Sequence, residues 1–146
     1  MFGGCPFPIN VHGGISHSLA KSKLTLLEIN EIVRQNIGVS ADEIMNENEN
    51  TKLVFGLNGP LWYRGYFRDQ KKVKRQLRKI FSHFGGNKII IGHTSTNDIS
   101  KMFDGEICAI DVIQPEKSTD RRNAKALLKE NNRYYKIDDN GTKILL

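Results

Sequence analysis

The stretch 88–94 reads Lys88-Ile89-Ile90-Ile91-Gly92-His93-Thr94. Three consecutive isoleucines predict a strand buried on both faces, as in a sheet that helices cover. A second apolar run, Ile107-Cys108-Ala109-Ile110-Asp111-Val112-Ile113, predicts another buried strand further along the chain. Residues 9–11 read as the end of a third strand, which runs into Gly13-Gly14. These strands form the expected centre of the fold.

Helical periodicity separates the expected strands. Leu26, Ile29, Val33 and Ile37 recur at steps of three and four and predict a helix over about 23–37. Ser40 and Glu43 have the spacing of a capping box, which predicts a second helix start. A third helix is expected over about 70–84. Its apolar face comprises Val73, Leu77, Ile80, Phe81 and Phe84.

Other segments are less regular. We expect residues 45–50 to be a loop, and residues 56–66 to be an ordered loop rich in aromatic side chains. Residues 124–130 fit either a short helix or an extended connection. Asn140-Gly141 is a strong hairpin signal between the apolar segments 134–137 and 142–145. The mixture indicates an α/β or α+β fold, with residues 1–146 as one domain.

The positive charge of the chain is concentrated in one segment. The net charge is +6, and residues 68–79 alone hold seven cations against the single Asp69. The other residues hold 15 cations and 15 acids, so the rest of the protein is neutral. A basic helix over 68–79 admits two interpretations: a binding surface for nucleic acid or an acidic partner, or a solvated helix face. The second is favoured, because the helix also has a full apolar face to bury.

Composition excludes several classes of protein. No stretch approaches the ~20 apolar residues that a membrane span needs. The first residues lack the features of a signal peptide, so a cytoplasmic location is expected. Cys5 and Cys108 lie far apart and form no Cys-x-x-Cys pair. This excludes a disulfide scaffold and a cysteine-based zinc site.

Two of the four histidines share a setting. His12 and His93 each follow an apolar strand and adjoin glycine. The carboxyl ends of strands are where open α/β sheets bind ligands, and neutral imidazole is a common metal ligand. The alternative is that both are ordinary surface or hydrogen-bonded histidines. Spacing alone does not decide between them.

Arg64 is the other candidate. It lies in the loop rich in glycine and aromatic residues, where a planar guanidinium can bind a phosphate or carboxylate through two parallel hydrogen bonds. The alternative is a structural cation–π contact with Trp62 or Tyr66. Both interpretations stay open on the sequence.

Four motifs occur in an order that resembles a known family. They are Val-His-Gly-Gly-Ile-Ser at 11–16, Gly-Pro-Leu-Trp-Tyr-Arg-Gly-Tyr at 59–66, Ile-Ile-Ile-Gly-His-Thr at 89–94 and Ile-Cys-Ala-Ile-Asp at 107–111. Together they resemble the C-terminal half of calcineurin-like metallophosphoesterases, in the bacterial branch similar to serine/threonine phosphoprotein phosphatases. The resemblance implies that this chain is part of a β-sandwich flanked by helices.

The resemblance also implies a chemistry. His12 and His93 would bind metal, and Arg64 would bind the phosphate. Two divalent metal ions (Mn, Fe or Zn) would hold a bridging hydroxide that hydrolyses a phosphomonoester. The implied substrate is a phosphoester or a phosphoprotein. A non-catalytic module that binds nucleic acid or an acidic partner through residues 68–79 is the alternative function.

The chain departs from the family in one large respect. The Asp-x-His, Gly-Asp-x-x-Asp-Arg-Gly and Gly-Asn-His-Asp/Glu motifs of the family's N-terminal half do not occur here. We therefore expect an incomplete fragment that lacks part of the active site and associates with itself or with the missing half. Neither a membrane nor nucleic acid is an expected partner.

Overall fold

The computed structural model describes residues 7–113 and 124–146, and Cys5 lies outside them. A four-stranded sheet has the spatial order β1-β2-β4-β3. Its strands are β1 (Pro8–Val11), β2 (Lys88–Ile91), β3 (Ser100–Met102) and β4 (Ile107–Ala109). The first three in spatial order are parallel, and β3 is antiparallel to β4. The carboxyl ends of β1 and β2 therefore meet at one edge of the sheet.

Six helices lie between β1 and β2 in the chain. They are α1 (His17–Lys21), α2 (Leu26–Gln35), α3 (Ala41–Asn46), α4 (Glu49–Phe55), α5 (Gly65–Arg68) and α6 (Gln70–Phe84). The capping box predicted at Ser40 is confirmed, and Thr25 with Glu28 forms another at the start of α2. Each box satisfies backbone N–H groups that the first helical turn leaves unpaired. These caps explain why short helices begin where they do.

The main core lies between the helices and one face of the four-stranded sheet. Val73, Leu77, Ile80 and Phe84 of α6 are buried there with Ile89 and Ile91 of β2. The prediction of α6 and of its apolar face is confirmed. Burial on both faces of β2 is confirmed only in part, because Ile90 on the opposite face is half-buried.

A three-stranded antiparallel sheet forms the C-terminal part. It consists of β5 (Lys125–Glu130), β6 (Arg133–Asp138) and β7 (Lys143–Leu145). The hairpin predicted at Asn140-Gly141 is confirmed. Residues 124–130, which fit either a short helix or an extended connection on the sequence, contain the strand β5. Leu127 and Leu146 pack against Cys108 of β4 and against Ile99, which precedes β3. This sheet therefore covers part of the face that α6 leaves open.

Charged contacts also join the two sheets. The Asp98 carboxylate forms ion pairs with the ammonium groups of Lys125, at 3.1 Å, and Lys136, at 2.5 Å. The pKa of the Asp98 carboxyl is held below its ordinary value, mainly by the hydrogen bond from Lys136. Partial desolvation opposes this shift, and the hydrogen bond from Lys125 adds to it. The carboxylate therefore stays charged and keeps both lysines at this junction.

Several expectations differ from the structure. The buried strand predicted over 107–113 ends at Ala109 as β4, and Ile110 and Ile113 are exposed. Residues 45 and 46, expected in a loop, end α3. Residues 49 and 50, expected in a loop, begin α4, because Asn48 caps that helix by accepting a hydrogen bond from the Thr51 N–H. The fold class is mixed α/β, as predicted, but a metallophosphoesterase-type sandwich flanked by helices is not supported. The helices pack on one face of the four-stranded sheet, and the small second sheet covers part of the other.

Within residues 7–113 and 124–146, no helix combines the length and the apolar character needed to cross a membrane.

Candidate functional site

The structure brings two of the predicted site residues together. His12 follows β1 and His93 follows β2, and the strand register pairs Val11 with Ile91 just before them. The Gly92 N–H donates a hydrogen bond of 2.9 Å to the carbonyl oxygen of His12. The centroids of the two imidazole rings are 4.5 Å apart, with an angle of 53° between their planes. The two imidazole rings therefore lie side by side at this edge of the sheet.

The backbone at His93 has an uncommon conformation. Its φ of +62° lies in the left-handed region, which residues with a Cβ seldom adopt. The chain turns sharply there, because the Thr94 N–H donates a 2.7 Å hydrogen bond to the Gly92 carbonyl oxygen. Such conformations concentrate at functional sites, where the surrounding structure maintains them.

The loop that carries Arg64 is fixed to the turn that follows β1. Gly13 and Gly14 both donate backbone hydrogen bonds to the carbonyl oxygen of Pro60, at 2.7 and 3.2 Å. A Cβ at Gly13 would lie 2.6 Å from the Leu61 carbonyl oxygen, closer than real Cβ contacts come. A glycine is therefore needed at position 13 for the two segments to approach each other.

Tyr66 attaches the same two segments a second time. Its side chain is fully buried, and its hydroxyl accepts a hydrogen bond from the Ile15 N–H and donates one to the Ile15 carbonyl oxygen, both at 2.9 Å. Burial raises the pKa of this phenol far above its ordinary value. A neutral Tyr66 thus satisfies two backbone groups next to the site.

Arg64 precedes α5 and lies close enough to act electrostatically on His93. Burial first, and then the charges of Arg64 and His12, hold the pKa of His93 below its ordinary value, while Asp111 opposes them. Among the described residues, no carboxylate forms an ion pair with Arg64. The Arg64 guanidinium is therefore the cation that this site offers to an anion.

The alternative role of Arg64 as a structural cation is not what the structure shows. Within the described ranges, cation–π contacts come from lysines only. Trp62 instead packs against His93, with ring centroids 5.2 Å apart and an angle of 83°. The sequence predicted an ordered loop rich in aromatic side chains but not this pairing, which depends on how the loop folds onto the sheet edge.

The other two histidines lie elsewhere. His83 is exposed near the end of α6, and its Nε2 lies 2.8 Å from the Leu24 carbonyl oxygen. His17 begins α1; burial, followed by the charges of Lys21, Lys79 and Lys72, holds its pKa below the ordinary value. Neither belongs to the candidate site.

The basic helix predicted over 68–79 is confirmed from Gln70 onward, with its cations exposed, whereas Arg68 ends the short helix α5 and Asp69 separates the two helices. Its lysines and arginines lie opposite the apolar face that packs into the core. A shallow groove on this exposed side is lined by Arg75, Arg78, Lys79, Ser82 and His83. This arrangement fits the interpretation of a solvated face, and binding of nucleic acid or an acidic partner stays an alternative without a defined site.

The residues present do not fit two metal ions. The described ranges contain no group of three or more His, Cys, Asp or Glu side chains that could hold a metal. Two imidazoles are too few ligands for a pair of ions that catalytic sites hold about 3.5–4 Å apart. The expectation of two divalent ions (Mn, Fe or Zn) is therefore wrong for this site, whereas metal binding by His12 and His93 themselves stays an untested prediction.

The chain is similar to solved structures of a phosphatase. They include the crystal structure of a cold-active protein tyrosine phosphatase of a psychrophile, Shewanella sp., and that of a point mutant of a cold-active protein tyrosine phosphatase. Each is 32% identical to this chain with a TM-score of 0.81, and the match covers 95% of this chain. The chain spans 40% of the length of either structure.

A third structure, of a cold-active protein tyrosine phosphatase at 1.1 Å, matches equally well, with 39% of its length covered. No family model matches the chain, and no curated protein matches it.

These similarities correct the resemblance drawn from the motifs. The similar structures are protein tyrosine phosphatases, so the placement among calcineurin-like metallophosphoesterases of the serine/threonine branch is wrong. The quoted motifs encode strand-end histidines and a loop arginine. Such groups suit phosphate binding in general and therefore do not specify one family or one mechanism.

Proposed function

We propose that this chain supplies the phosphate-binding side of a phosphatase that hydrolyses phosphomonoesters, with phosphotyrosine in proteins as the substrate. The observation that carries the proposal is the convergence of His12, His93 and Arg64 at one edge of the sheet. The similarity to protein tyrosine phosphatases over 95% of the chain supports the reaction class.

Arg64 has the chemistry of a phosphate ligand. A guanidinium presents N–H groups in a planar fork that matches two phosphoryl oxygens. No acidic side chain among the described residues pairs with it, so its charge is available to an anion. Fixed to the turn after β1 through Pro60 and Tyr66, the loop pre-positions this charge. Pre-positioned charge stabilises the transition state of phosphoryl transfer at no cost in reorganisation.

The histidine pair complements the arginine. Because the pKa of His93 is lowered, its imidazole is neutral at physiological pH and offers one hydrogen-bond donor and one acceptor. The Nε2 atom of His93 is buried and has no hydrogen-bond partner among the described residues. We assign His12 and His93 to hydrogen bonding with the phosphoryl group or with the water that attacks it.

Cys108 does not fit the role of a nucleophile. It is buried in β4, and burial raises the pKa of its thiol against the opposing charges of Lys88 and Lys101. A reactive cysteine needs an accessible thiolate and therefore a lowered pKa. We propose water as the nucleophile: its oxygen bonds to phosphorus and the ester P–O bond breaks. One proton of the water ends on the leaving oxygen, so that phosphate and the alcohol or phenol are released.

The proposal is tested by hydrolysis of p-nitrophenyl phosphate and of a phosphotyrosine peptide. Arg64→Ala is expected to lower kcat/KM by about 10²–10³, the usual cost of removing a group that binds transition-state charge. Arg64→Lys keeps the charge but loses the planar fork, so its kcat/KM is expected to lie between those of the wild type and Arg64→Ala.

Arg75→Ala is the matched control. This arginine is exposed on α6 and its Nε donates to the Lys71 carbonyl oxygen, so its loss should leave the rate unchanged. Equal losses in Arg64→Ala and Arg75→Ala would contradict a specific role for Arg64. A wild-type chain that hydrolyses neither substrate and does not bind inorganic phosphate would contradict the proposed function.

A further inference from the structure

Trp62 is an exposed aromatic side chain at the candidate site. It is the only tryptophan in the chain, and 47% of its surface is exposed. A large aromatic side chain is normally buried, because water contact with its ring is unfavourable. Trp62 lies two residues before Arg64 in the same loop, and its indole packs against His93 at the candidate site.

The position of Trp62 is fixed on both its backbone and its side chain. Its N–H and that of Tyr63 donate to the Gly59 carbonyl oxygen at 3.3 and 3.1 Å. The indole and the His93 imidazole pack edge to face with centroids 5.2 Å apart. An aromatic group held in this way binds with little further loss of side-chain freedom.

We propose that Trp62 determines specificity by stacking on the aryl ring of an aryl phosphate whose phosphoryl group is bound by Arg64. The inference rests on the proposed function. A phosphoryl group held by Arg64 beside the histidine pair directs its ester substituent toward the rim of the site. The indole is the aromatic surface present on that rim, and it touches His93 directly.

Stacking discriminates between aryl and alkyl esters. Two aromatic rings gain a contribution beyond the area that they bury, whereas an alkyl group gains only the burial. The phosphoryl contacts are the same for both esters, so the difference in affinity reports the ester substituent, and the part of it that Trp62→Ala removes reports stacking. Phenyl phosphate should therefore bind about three- to tenfold more tightly than ethyl phosphate.

The test is calorimetric titration of phenyl phosphate and ethyl phosphate into the wild-type chain and its variants. Trp62→Ala should remove the preference for phenyl phosphate and leave the affinity for ethyl phosphate unchanged. Trp62→Phe should keep most of the preference, because it retains an aromatic face. Leu57→Ala is the control, since this side chain in the same loop is 79% exposed and aliphatic, and its loss should change neither affinity.

The outcomes separate the two proposals. Equal affinities of the wild type for the two esters, or an equal loss of both in Trp62→Ala, would overturn the role of Trp62. The proposed function would then still stand if Arg64→Ala weakened both esters. Failure of both esters to bind the wild type, or binding that Arg64→Ala leaves intact, would overturn the proposed function and the inference with it.

Discussion

The backbone N–H of Gly13 donates a 2.7 Å hydrogen bond to the carbonyl oxygen of Pro60, joining the turn after β1 to the loop that carries Arg64. The same oxygen accepts a second hydrogen bond from Gly14. One carbonyl group thus sets the distance between the segment that positions His12 and the segment that positions Arg64. The geometry of the candidate site therefore depends on this junction.

Gly13→Ala is expected to disrupt the junction. The added Cβ would lie 2.6 Å from the Leu61 carbonyl oxygen, so backbone must move, at a cost of about 1–3 kcal/mol in the free energy of unfolding. Urea denaturation measures this cost. Gly92→Ala is the control, because its Cβ would meet the nearest atom at an ordinary 3.6 Å. Equal stability of the two variants would show that the close approach at Gly13 is not needed.

Tyr66→Phe is expected to destabilise the fold by about 1–3 kcal/mol. The change removes one hydroxyl and leaves the buried N–H and carbonyl oxygen of Ile15 without partners. Thermal and urea unfolding report the loss. Tyr135→Phe in β6 is the matched control, since the Lys143 ammonium over its ring needs only the aromatic face. A Tyr66→Phe chain as stable as Tyr135→Phe would contradict this role of the hydroxyl.

The fluorescence of Trp62 should report the protonation of His93. A charged imidazole quenches a neighbouring indole, and the two rings are in contact. Because the pKa of His93 is lowered from 6.5, quenching should begin only as the pH falls below that of an ordinary histidine. His93→Gln should abolish the transition. Arg64→Gln should shift it to higher pH, because a charge that disfavours the imidazolium is removed.

The lowered pKa of His93 also makes the stability of the fold depend on pH. The unfolded chain binds a proton at His93 near pH 6.5, whereas the folded chain resists it until lower pH. The contribution of neutral His93 to stability is therefore complete above pH 6.5 and declines as the pH falls from 6.5 through the lowered pKa. His93→Gln should flatten this part of the stability profile. A midpoint of the fluorescence transition above 6.5 would contradict the sign of the shift.

Asp69→Ala is expected to lower stability by about 1 kcal/mol, because the Asp69 carboxylate caps α6 by accepting a 3.0 Å hydrogen bond from the Lys72 N–H. Asp69→Asn keeps a capping oxygen and should retain most of the stability. Denaturation curves of the two variants measured at low and high salt separate the cap from the charge. A loss of stability as large in Asp69→Asn as in Asp69→Ala would indicate that the charge of Asp69 matters more than its capping hydrogen bond.

Local patterns in the sequence predict most of the elements correctly. The apolar periodicity of α6, the capping box at Ser40 and the Asn140-Gly141 turn each act within a few residues, so the sequence contains their full cause. Helix α4 was missed because its polar start, Glu49 and Asn50, reads as a loop until Asn48 is seen to cap it. The arrangement of the second sheet depends on distant contacts, such as those of Asp98, which no local pattern reveals.

The candidate site is predictable to a similar extent. The sequence places His12 and His93 each at the carboxyl end of an apolar strand, whereas the parallel pairing of β1 with β2 that brings them together is seen only in the structure. The packing of Trp62 on His93 depends on the path of an irregular loop and could not be predicted. The two-metal expectation failed because it came from a resemblance carried by short motifs, whereas the donor set of the described residues is too small for two ions.

The most direct test of the central claim is a titration with inorganic phosphate that follows the imidazole NMR signals of all four histidines. Binding at the proposed site should shift the signals of His12 and His93 and leave those of His17 and His83 in place, and Arg64→Ala should abolish the shifts. Shifts confined to His83, beside the basic groove of α6, or no shift at His12 and His93 would contradict the account.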